Sequence, residues 1–331
     1  MIFTLAFCGT AGSAAAQEAA VVRYLWHDRT VSVETEGRLR LGGRKTRATD
    51  RFAVASTGKA LLAVALLQLH ERGVPSLQEP VKKWLPKSVV DAFGGLKGLS
   101  IMHLLQMRSG LVDYYHDDYL IAVFDDPNNQ TIETALGVVA GERPKFKPGR
   151  RFDYSNTNYL LAQLVLERAS GLPMSQYFQQ HILGPAGMKD SFVFGTRELP
   201  RNFAQGFEDL GDGPEDISFY YQGSGFGDGP LISTASDMAA FYRALFVDKV
   251  LLGPAGLALM LDDPLGEGYG MGMEVEQLRG LGTVYGHSGG DLGFSADIRF
   301  APGLNAIAVV LMAESNRDGS ASYDMLRELA R

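Results

Sequence analysis

Apolar residues follow one spacing at the two ends of this chain and another in its middle, and this contrast limits the possible folds. Residues 20–42 contain two short apolar and β-branched runs around a polar turn at 27–29, which predicts two strands. From residue 56 to about 262 the spacing is mostly helical. Strand-like runs separated by Gly-rich turns then precede a final helix at about 319–330. We therefore predict an α+β fold in which one sheet is built from both chain ends.

The predicted elements divide a single domain, residues 17–331, into two parts. An α/β part of about 17–55 and 265–331 would contain the sheet, and a helical part of about 56–264 would be inserted into it. The predicted helices of the inserted part span residues 56–72, 100–107, 131–140, 156–170, 173–182 and 234–247. The later strands are predicted in YGMGMEVEQL, TVYGH, FSADIRFA and NAIAVVLMAES. Ser56 lies where the two parts meet, and clefts at such junctions are common ligand sites.

The N-terminal stretch MIFTLAFCGTAGSAAAQE joins a short apolar run to small residues. We interpret residues 1–16 as a signal peptide cleaved near Ala16, and we expect export to a periplasm or out of the cell. The alternative is a frayed apolar N-terminus. The run is too short to span a bilayer. Cys8 is the only cysteine and would leave with the signal, so the mature chain would have neither a disulfide nor a thiol nucleophile.

The overall charge limits the partners of the chain. Its 331 residues carry a formal net charge of -7, with 46% apolar and 21% charged residues. This composition is typical of a soluble globular protein. The negative charge argues against nucleic acid or an acidic membrane surface as the main partner.

Ser56 and Lys59 form an S-x-x-K motif at the start of the predicted helix STGKALLAVALLQL. Residues three positions apart share a helix face, so the lysine ammonium can reach the serine hydroxyl. Burial beside the leucines can activate such a lysine, or its charge can stabilise a neighbouring phenolate. The alternative is an N-cap serine followed by a surface lysine, and the motif alone does not decide between them.

Tyr154 and Asn156 form the only Y-x-N motif of the chain, in RFDYSNTNYLLAQL. A tyrosine with an ordinary pKa of about 10 is a poor base at neutral pH, but neighbouring cations make it a plausible one. The asparagine amide can bind both a substrate carbonyl and the lysine. The alternative is a helix start that carries a half-buried tyrosine.

A third candidate is YGHSGGDLGF, in which His287 and Ser288 precede Gly289 and Gly290. Glycine permits close approach of the backbone to a ligand and can leave an N–H free to bind it. The alternative is a Gly-rich hairpin with a partly exposed histidine. Residues 286–290 also fit G-x-S-x-G, but a nucleophile elbow needs a later histidine, and none follows His287.

The sequence does not favour a metal site. It contains no H-E-x-x-H motif. His116, Asp117 and Asp118 are adjacent, which is not the same-face spacing of two ligands on a helix.

The motifs S-x-x-K, Y-x-N and H-x-G occur in this order, and with it the chain resembles the penicillin-recognising serine hydrolases. It is most similar to their branch of class C β-lactamases, D-alanyl-D-alanine carboxypeptidases and esterases, also in LSIMHLLQMRSGLVDY, ILGPAGMKDSF and GPLISTASDMAAFYRAL. The resemblance covers about residues 20–315. It implies a β-lactamase/transpeptidase-like α+β fold whose antiparallel sheet is flanked by helices. It further implies acylation and then hydrolysis of a small-molecule or peptide acyl substrate, with no metal or organic cofactor.

The same resemblance implies roles for the first two motifs. Ser56 would be the acylated nucleophile, and Lys59 would share its proton network. Tyr154 would be the general base for the attack and the acid for the leaving group. Asn156 would orient Lys59 and the substrate.

The third motif would supply the strand that lines the cleft. His287, Ser288 and Gly289 would bind or orient the substrate. The backbone N–H groups of Ser56 and Gly290 would form an oxyanion hole, in which each donor contributes a few kcal/mol.

One departure from the family bears on the substrate, because His287 stands where β-lactamases carry a lysine. A lysine is charged at neutral pH, whereas a histidine with an ordinary pKa of about 6.5 mostly is not. Binding of a β-lactam carboxylate should therefore weaken, which favours an esterase or D-amino-acid peptidase over a dedicated β-lactamase. The alternative is a catalytically idle binding protein of the same fold, and the intact set of Ser56, Lys59 and Tyr154 argues against it.

Overall fold

A computed structural model describes residues 19–209, 214–315 and 320–331 of the chain. The predicted signal peptide, residues 1–16, and Cys8 lie outside this described part. Within the described part, no helix is long and apolar enough to cross a membrane.

The large sheet joins the two ends of the chain, as the sequence predicts. The strands of the described residues are β1 (Val21–His27), β2 (Thr30–Glu36), β3 (Phe52–Ala53), β4 (Phe192–Val193), β5 (Phe207–Asp209), β6 (Pro214–Asp216), β7 (Leu231–Ser233), β8 (Glu274–Leu278), β9 (Gly282–Asp291), β10 (Phe294–Ala301) and β11 (Ala306–Met312). Six of them form one sheet in the order β2-β1-β11-β10-β9-β8. Every neighbouring pair is antiparallel. The predicted α+β class, with a sheet built from both ends, is confirmed.

Burial distinguishes the centre of this sheet from its edge. Strand β11, AIAVVLM, is buried along its whole length, because Ile307 and Val309 face the main core while Ala308 and Val310 pack on the opposite face. Strand β2, TVSVETE, is exposed along its whole length. The turn between β1 and β2 places Asp28 and Arg29 at φ angles of 44° and 71°, the left-handed backbone that a tight hairpin requires.

Helices cover both faces of the sheet and fill the middle of the chain. They are α1 (Lys59–Glu71), α2 (Lys87–Ala92), α3 (Ile101–Leu105), α4 (Asp117–Asp125), α5 (Ile132–Gly137), α6 (Thr157–Ser170), α7 (Met174–Phe178), α8 (Gly184–Ala186), α9 (Ala235–Tyr242), α10 (Pro254–Met260) and α11 (Ala321–Leu329). On one face α11 buries Leu326 against Val284 and Ala308, and on the other α9 packs against β1 and β11. Helix α1 is buried over most of its length and packs against α6.

Sequence reasoning located the long elements and missed the short ones. Each predicted helix is present, although 173–182 and 234–247 continue as π-helical turns at Gln179–Leu183 and Arg243–Val247. The strand predicted in YGMGMEVEQL starts only at Glu274, and the one predicted in TVYGH extends to Asp291. Two small sheets, β3-β7-β4 and β5-β6, were not predicted, because strands of two or three residues show no alternation that a sequence can reveal.

Candidate active site

Ser56 lies in a tight turn that connects strand β3 to helix α1. A 3₁₀ turn, Ala55–Gly58, leads directly into the helix. Ala55 has a φ of 47°, a left-handed conformation that costs a non-glycine residue on the order of 1 kcal/mol or more. The turn is fixed by hydrogen bonds from the Val54 N–H to the Leu231 carbonyl and from the Thr57 hydroxyl to the Val54 carbonyl. Ser56 is thus held in a strained turn by its neighbours.

Lys59 is completely buried, and its ammonium group makes three hydrogen bonds. It donates to Ser56 Oγ at 2.8 Å, to Asn156 Oδ1 at 2.8 Å and to the Asp228 carbonyl oxygen at 2.7 Å. An ammonium has three N–H donors, so all of them are used. The three acceptors are neutral, which leaves the positive charge of Lys59 uncompensated by direct contact.

Tyr154 lies beside this ammonium, with its ring centroid 5.0 Å from Lys59 Nζ. That distance is within the range of a cation–π contact. The ring also meets Tyr269 edge-on at 6.1 Å and lies 6.3 Å from the His287 ring, measured between centroids. The structure therefore brings Ser56, Lys59 and Tyr154 together from separate parts of the sequence.

Asn156 is oriented by an aspartate that sequence reasoning missed. Asp113 accepts hydrogen bonds from the Asn156 backbone N–H at 3.0 Å and from its side-chain Nδ2 at 3.1 Å. These bonds direct the Asn156 oxygen toward Lys59. Burial raises the pKa of the Asp113 carboxyl above its usual value. In the sequence, LVDYY gave no spacing signal for this role.

His287 lies on β9 as predicted, but its side chain is buried and engaged on both ring nitrogens. Nδ1 is 2.5 Å from the Ser288 carbonyl oxygen and must carry the proton of that bond, so Nε2 accepts from the Tyr269 hydroxyl at 3.0 Å. Burial lowers the pKa of His287 to about 4, although Glu274 acts in the opposite direction. The imidazole is therefore neutral at pH 7. Tyr269 is a second residue that no motif indicated.

A partly buried charge cluster holds strand β9 in place through Ser288. Glu274 accepts hydrogen bonds from the Ser288 backbone at 3.1 Å and the Ser288 hydroxyl at 2.8 Å, and its other oxygen is 2.5 Å from Arg299 Nη1. Burial alone would raise the pKa of Glu274, but His287 and Arg299 lower it to about 2. Arg299 also pairs with Asp297 at 2.7 Å. The Ser288 side chain thus binds this cluster.

The glycines of the third motif pass directly beside the Ser56 turn. A Cβ added to Gly289 would lie 2.8 Å from the Val54 carbonyl oxygen and 3.2 Å from the Ser56 nitrogen. Gly290 faces open space instead. Strand β9 can therefore reach the Ser56 turn only because residue 289 lacks a side chain.

A cavity of about 40 Å³, partly open to solvent, adjoins Ser56. It is lined by Ala55, Ser56, Tyr114, Tyr115, Asn156, Phe194, Tyr220, Ser224, Phe226, Asp228, Gly229, Gly290 and Asp291. The predicted nucleophile and both residues of the predicted oxyanion hole border this space. Tyr154 and His287 lie outside the lining, on the side of Lys59 and Tyr269.

Comparison with known proteins decides the family. The family model described as Beta-lactamase matches residues 10–330. The chain belongs to the β-lactamase family. Its solved relatives have the β-lactamase/transpeptidase fold, and the family is one of serine hydrolases.

The relatives within the β-lactamase family differ in how much of their own length aligns with this chain. Penicillin-binding protein 4* of Bacillus subtilis (strain 168) is 29% identical over 274 residues, which are 76% of this chain and 58% of that protein. The curated relatives are longer proteins, and the chain spans 33% to 58% of the first three. The penicillin binding protein from Bacillus halodurans is 26% identical with a TM-score of 0.79, covering 93% of this chain and 94% of that one. A D-stereospecific amidohydrolase from Streptomyces sp. is 27% identical with the same TM-score and coverages.

Proposed function

We propose that the chain is a serine hydrolase in which Ser56 Oγ attacks an ester or amide carbonyl and forms an acyl-enzyme that water hydrolyses. The observation that carries this proposal is the 2.8 Å hydrogen bond from the fully buried Lys59 ammonium to Ser56 Oγ at the edge of a cavity. A hydroxyl that accepts from a cation is stabilised as it develops negative charge.

Lys59 is an unsuitable proton acceptor in this arrangement, since its three donors already bind Ser56, Asn156 and Asp228. Tyr154 lies beside this ammonium, whose charge would stabilise negative charge on the tyrosine oxygen. We infer that Tyr154 takes the Ser56 proton during the attack and returns it to the leaving group. Lys59 then acts by its charge.

The carbonyl oxygen of the substrate becomes negative in the tetrahedral intermediate and needs N–H donors. Ser56 and Gly290 border the same cavity, on the turn and on β9. We assign their backbone N–H groups to this oxyanion hole, where each donor contributes about 3 kcal/mol. Gly289 supports the arrangement by allowing the close approach of β9.

Under this proposal, esters and acyclic amides are better substrates than β-lactams. A β-lactam carries a carboxylate that a cation would bind, and the neutral, buried His287 offers none. Similarity to a D-stereospecific amidohydrolase supports amides of D-amino acids as one substrate class to test.

Trapping of the acyl-enzyme tests the proposed function. Incubation with p-nitrophenyl butyrate should release a burst of p-nitrophenol and add one butyryl group to the Ser56 peptide, detected by mass spectrometry. Ser56→Ala should show neither and should lose nearly all turnover, because the loss of a nucleophile removes most of the rate enhancement. A wild-type chain that forms no adduct, or an alanine variant that keeps several per cent of the activity, would favour the idle binding protein or another nucleophile.

Nitrocefin turnover tests the substrate preference separately. It should be far below ester turnover in the wild type, and His287→Lys should raise it. Nitrocefin turnover equal to ester turnover would contradict the preference and leave the serine mechanism intact.

A further inference from the structure

The cavity beside Ser56 has an unusual charge distribution for a site that would bind carboxylated substrates. Two carboxylates, Asp228 and Asp291, contribute to its wall. Among the described residues that line it there is no lysine, arginine or histidine. The remaining wall is largely aromatic, with the rings of Tyr114, Tyr115, Phe194, Tyr220 and Phe226.

Both carboxylates are held in place by tyrosine hydroxyls. The Tyr114 hydroxyl donates to Asp228 Oδ2 at 2.8 Å, and the Tyr115 hydroxyl donates to Asp291 Oδ1 at 2.5 Å. The Leu292 backbone N–H also donates to Asp291 Oδ1, at 2.8 Å. Each aspartate is only partly accessible, and both line the cavity. These are oriented acceptors, unlike carboxylates on an open surface.

The two carboxylates are held at a cost in free energy. Burial raises the pKa of Asp228 to about 6, although Lys59 and Tyr114 oppose the shift. Burial likewise raises the pKa of Asp291. A cation placed between them would favour the ionised form of both, and the surrounding rings would add cation–π attraction.

We propose that Asp228 and Asp291 bind the ammonium group of the substrate, so that the preferred substrates are amides or esters of amino acids with a free amino group near the scissile carbonyl. This assignment rests on the proposed acylation of Ser56, which borders the same cavity. The aromatic rings would surround the apolar side chain of the same amino acid. Substrates with a carboxylate at this position would be repelled.

Matched substrates test this assignment in the unmodified chain. Phenylalanine p-nitroanilide, as each enantiomer, is compared with 3-phenylpropanoyl p-nitroanilide, which lacks only the amino group, and with the neutral N-acetyl derivative. For at least one enantiomer, kcat/KM should exceed that of both neutral analogues by about thirtyfold or more, the lower end expected for a buried charge pair. Equal or faster hydrolysis of the analogue without the amine would overturn the proposal.

Substitutions of the two aspartates test whether these side chains cause the preference for a substrate amine. Asp228→Asn and Asp291→Asn should each lower the ratio of amine to des-amino kcat/KM by about tenfold or more, mainly through KM. Asp118→Asn removes the same charge from a side chain that is 80% exposed, and its ratio should match the wild type. Ratios that stay at the wild-type value in both cavity variants would refute the assignment.

A binding measurement covers the case in which the variants do not fold. 2-Phenylethylamine should inhibit hydrolysis of p-nitrophenyl butyrate by the wild type at least tenfold more strongly than 2-phenylethanol, and equal inhibition would overturn the assignment. The ester also separates the two proposals. If Ser56 is acylated but amines are not preferred, only the substrate assignment fails, whereas absence of any acylation removes the proposed function itself.

Discussion

Two buried cations, Lys59 and Arg299, interact electrostatically with His287, and their hydrogen-bond partners differ. Lys59 is 0% exposed and donates to a hydroxyl, an amide oxygen and a backbone carbonyl. Arg299 is 3% exposed and pairs with the carboxylates of Glu274 and Asp297. Burial alone would lower the pKa of Arg299, but these carboxylates raise it above its usual value.

The partners of each cation determine whether its charge can act on a substrate. The charge of Arg299 is neutralised where it lies, so it serves to hold β8, β9 and β10 together. The Lys59 ammonium directly contacts only neutral acceptors. The nearby carboxylates of Asp113, Asp228 and Asp291 also interact with its charge, but none of them pairs with it, so its field also reaches Ser56 and Tyr154. The two side chains are similarly buried but have different roles. Carboxylate partners make Arg299 a structural residue, whereas neutral acceptors leave the charge of Lys59 available for chemistry.

The largest effect is expected when Lys59 loses its charge. Lys59→Met keeps much of the volume and should lower kcat/KM for p-nitrophenyl butyrate by about 10⁴-fold, because charge stabilisation and proton transfer both depend on it. Lys83→Met, on a lysine that is 62% exposed, is the control and should leave the rate unchanged. A Lys59→Met variant with a tenth of the wild-type rate would show that the charge is not used.

Tyr154 comes next, because it is the group on which the field of Lys59 is expected to act. Tyr154→Phe should lower kcat/KM by about 10³-fold, within the range for general acid–base catalysis. The measurement is kcat/KM of both proteins for p-nitrophenyl butyrate under the same conditions. A Tyr154→Phe variant that keeps the wild-type rate would remove Tyr154 from the mechanism.

Arg299 should show the reverse pattern, with a loss of stability larger than the loss of chemistry. Arg299→Met leaves the buried Asp297 and the partly buried Glu274 without their cation and should lower the free energy of unfolding by about 3 kcal/mol, measured by urea denaturation. Arg23→Met breaks an exposed pair with Glu36 and should cost less than about 1 kcal/mol. If both substitutions cost the same, the buried cluster would not be the structural counterpart of Lys59.

The smallest effect concerns His287, which is faced by Lys59, Arg299, Glu274 and Tyr269. Its pKa is about 4 in the fold and about 6.5 in the unfolded chain, so between these values the unfolded chain binds more protons. Its contribution to stability is therefore complete above pH 6.5 and is lost as the pH falls toward 4. His287→Gln should flatten this acid-side decline by roughly 2.5 kcal/mol between pH 7.5 and pH 4.5.

Urea midpoints of the wild type and His287→Gln at pH 7.5 and pH 4.5 measure that difference. Other groups, such as Asp228, titrate in both proteins and largely cancel in the comparison. An equal decline in both proteins would mean that His287 is not the group that takes up the proton.

Much of the fold was predictable, because long elements leave periodic patterns. The leucines of α1 and the continuous apolar run of β11 indicated their elements before any coordinates. The order of three motifs predicted that Ser56, Lys59, Tyr154 and Asn156 would meet, and the structure places them together. Each of these residues lies at a fixed offset within a recognisable stretch.

The surroundings of the site were not predictable in the same way. Asp113, Tyr269 and the two aspartates of the cavity occupy loops or strand ends without a repeating pattern. Their roles depend on which distant segments fold against them, such as Asp113 against Asn156. The burial of His287 was missed for a similar reason, because its tyrosine partner is 18 residues away on a loop.

The pairing of β1 with β11 also determines when during folding a working site can exist. Val21 is aligned with Met312, so almost the whole described chain must be present before β1 finds its partner. Contacts between such distant residues form slowly, since a long loop must close before any of them is made. Until then the β1 edge of the β1–β2 hairpin is unpaired in addition to the outer edge of β2, and such an edge is a template for association with other chains. A fragment that ends before β9 (Gly282–Asp291) lacks the strand that packs against the Ser56 turn, so the proposed site can form only late in synthesis.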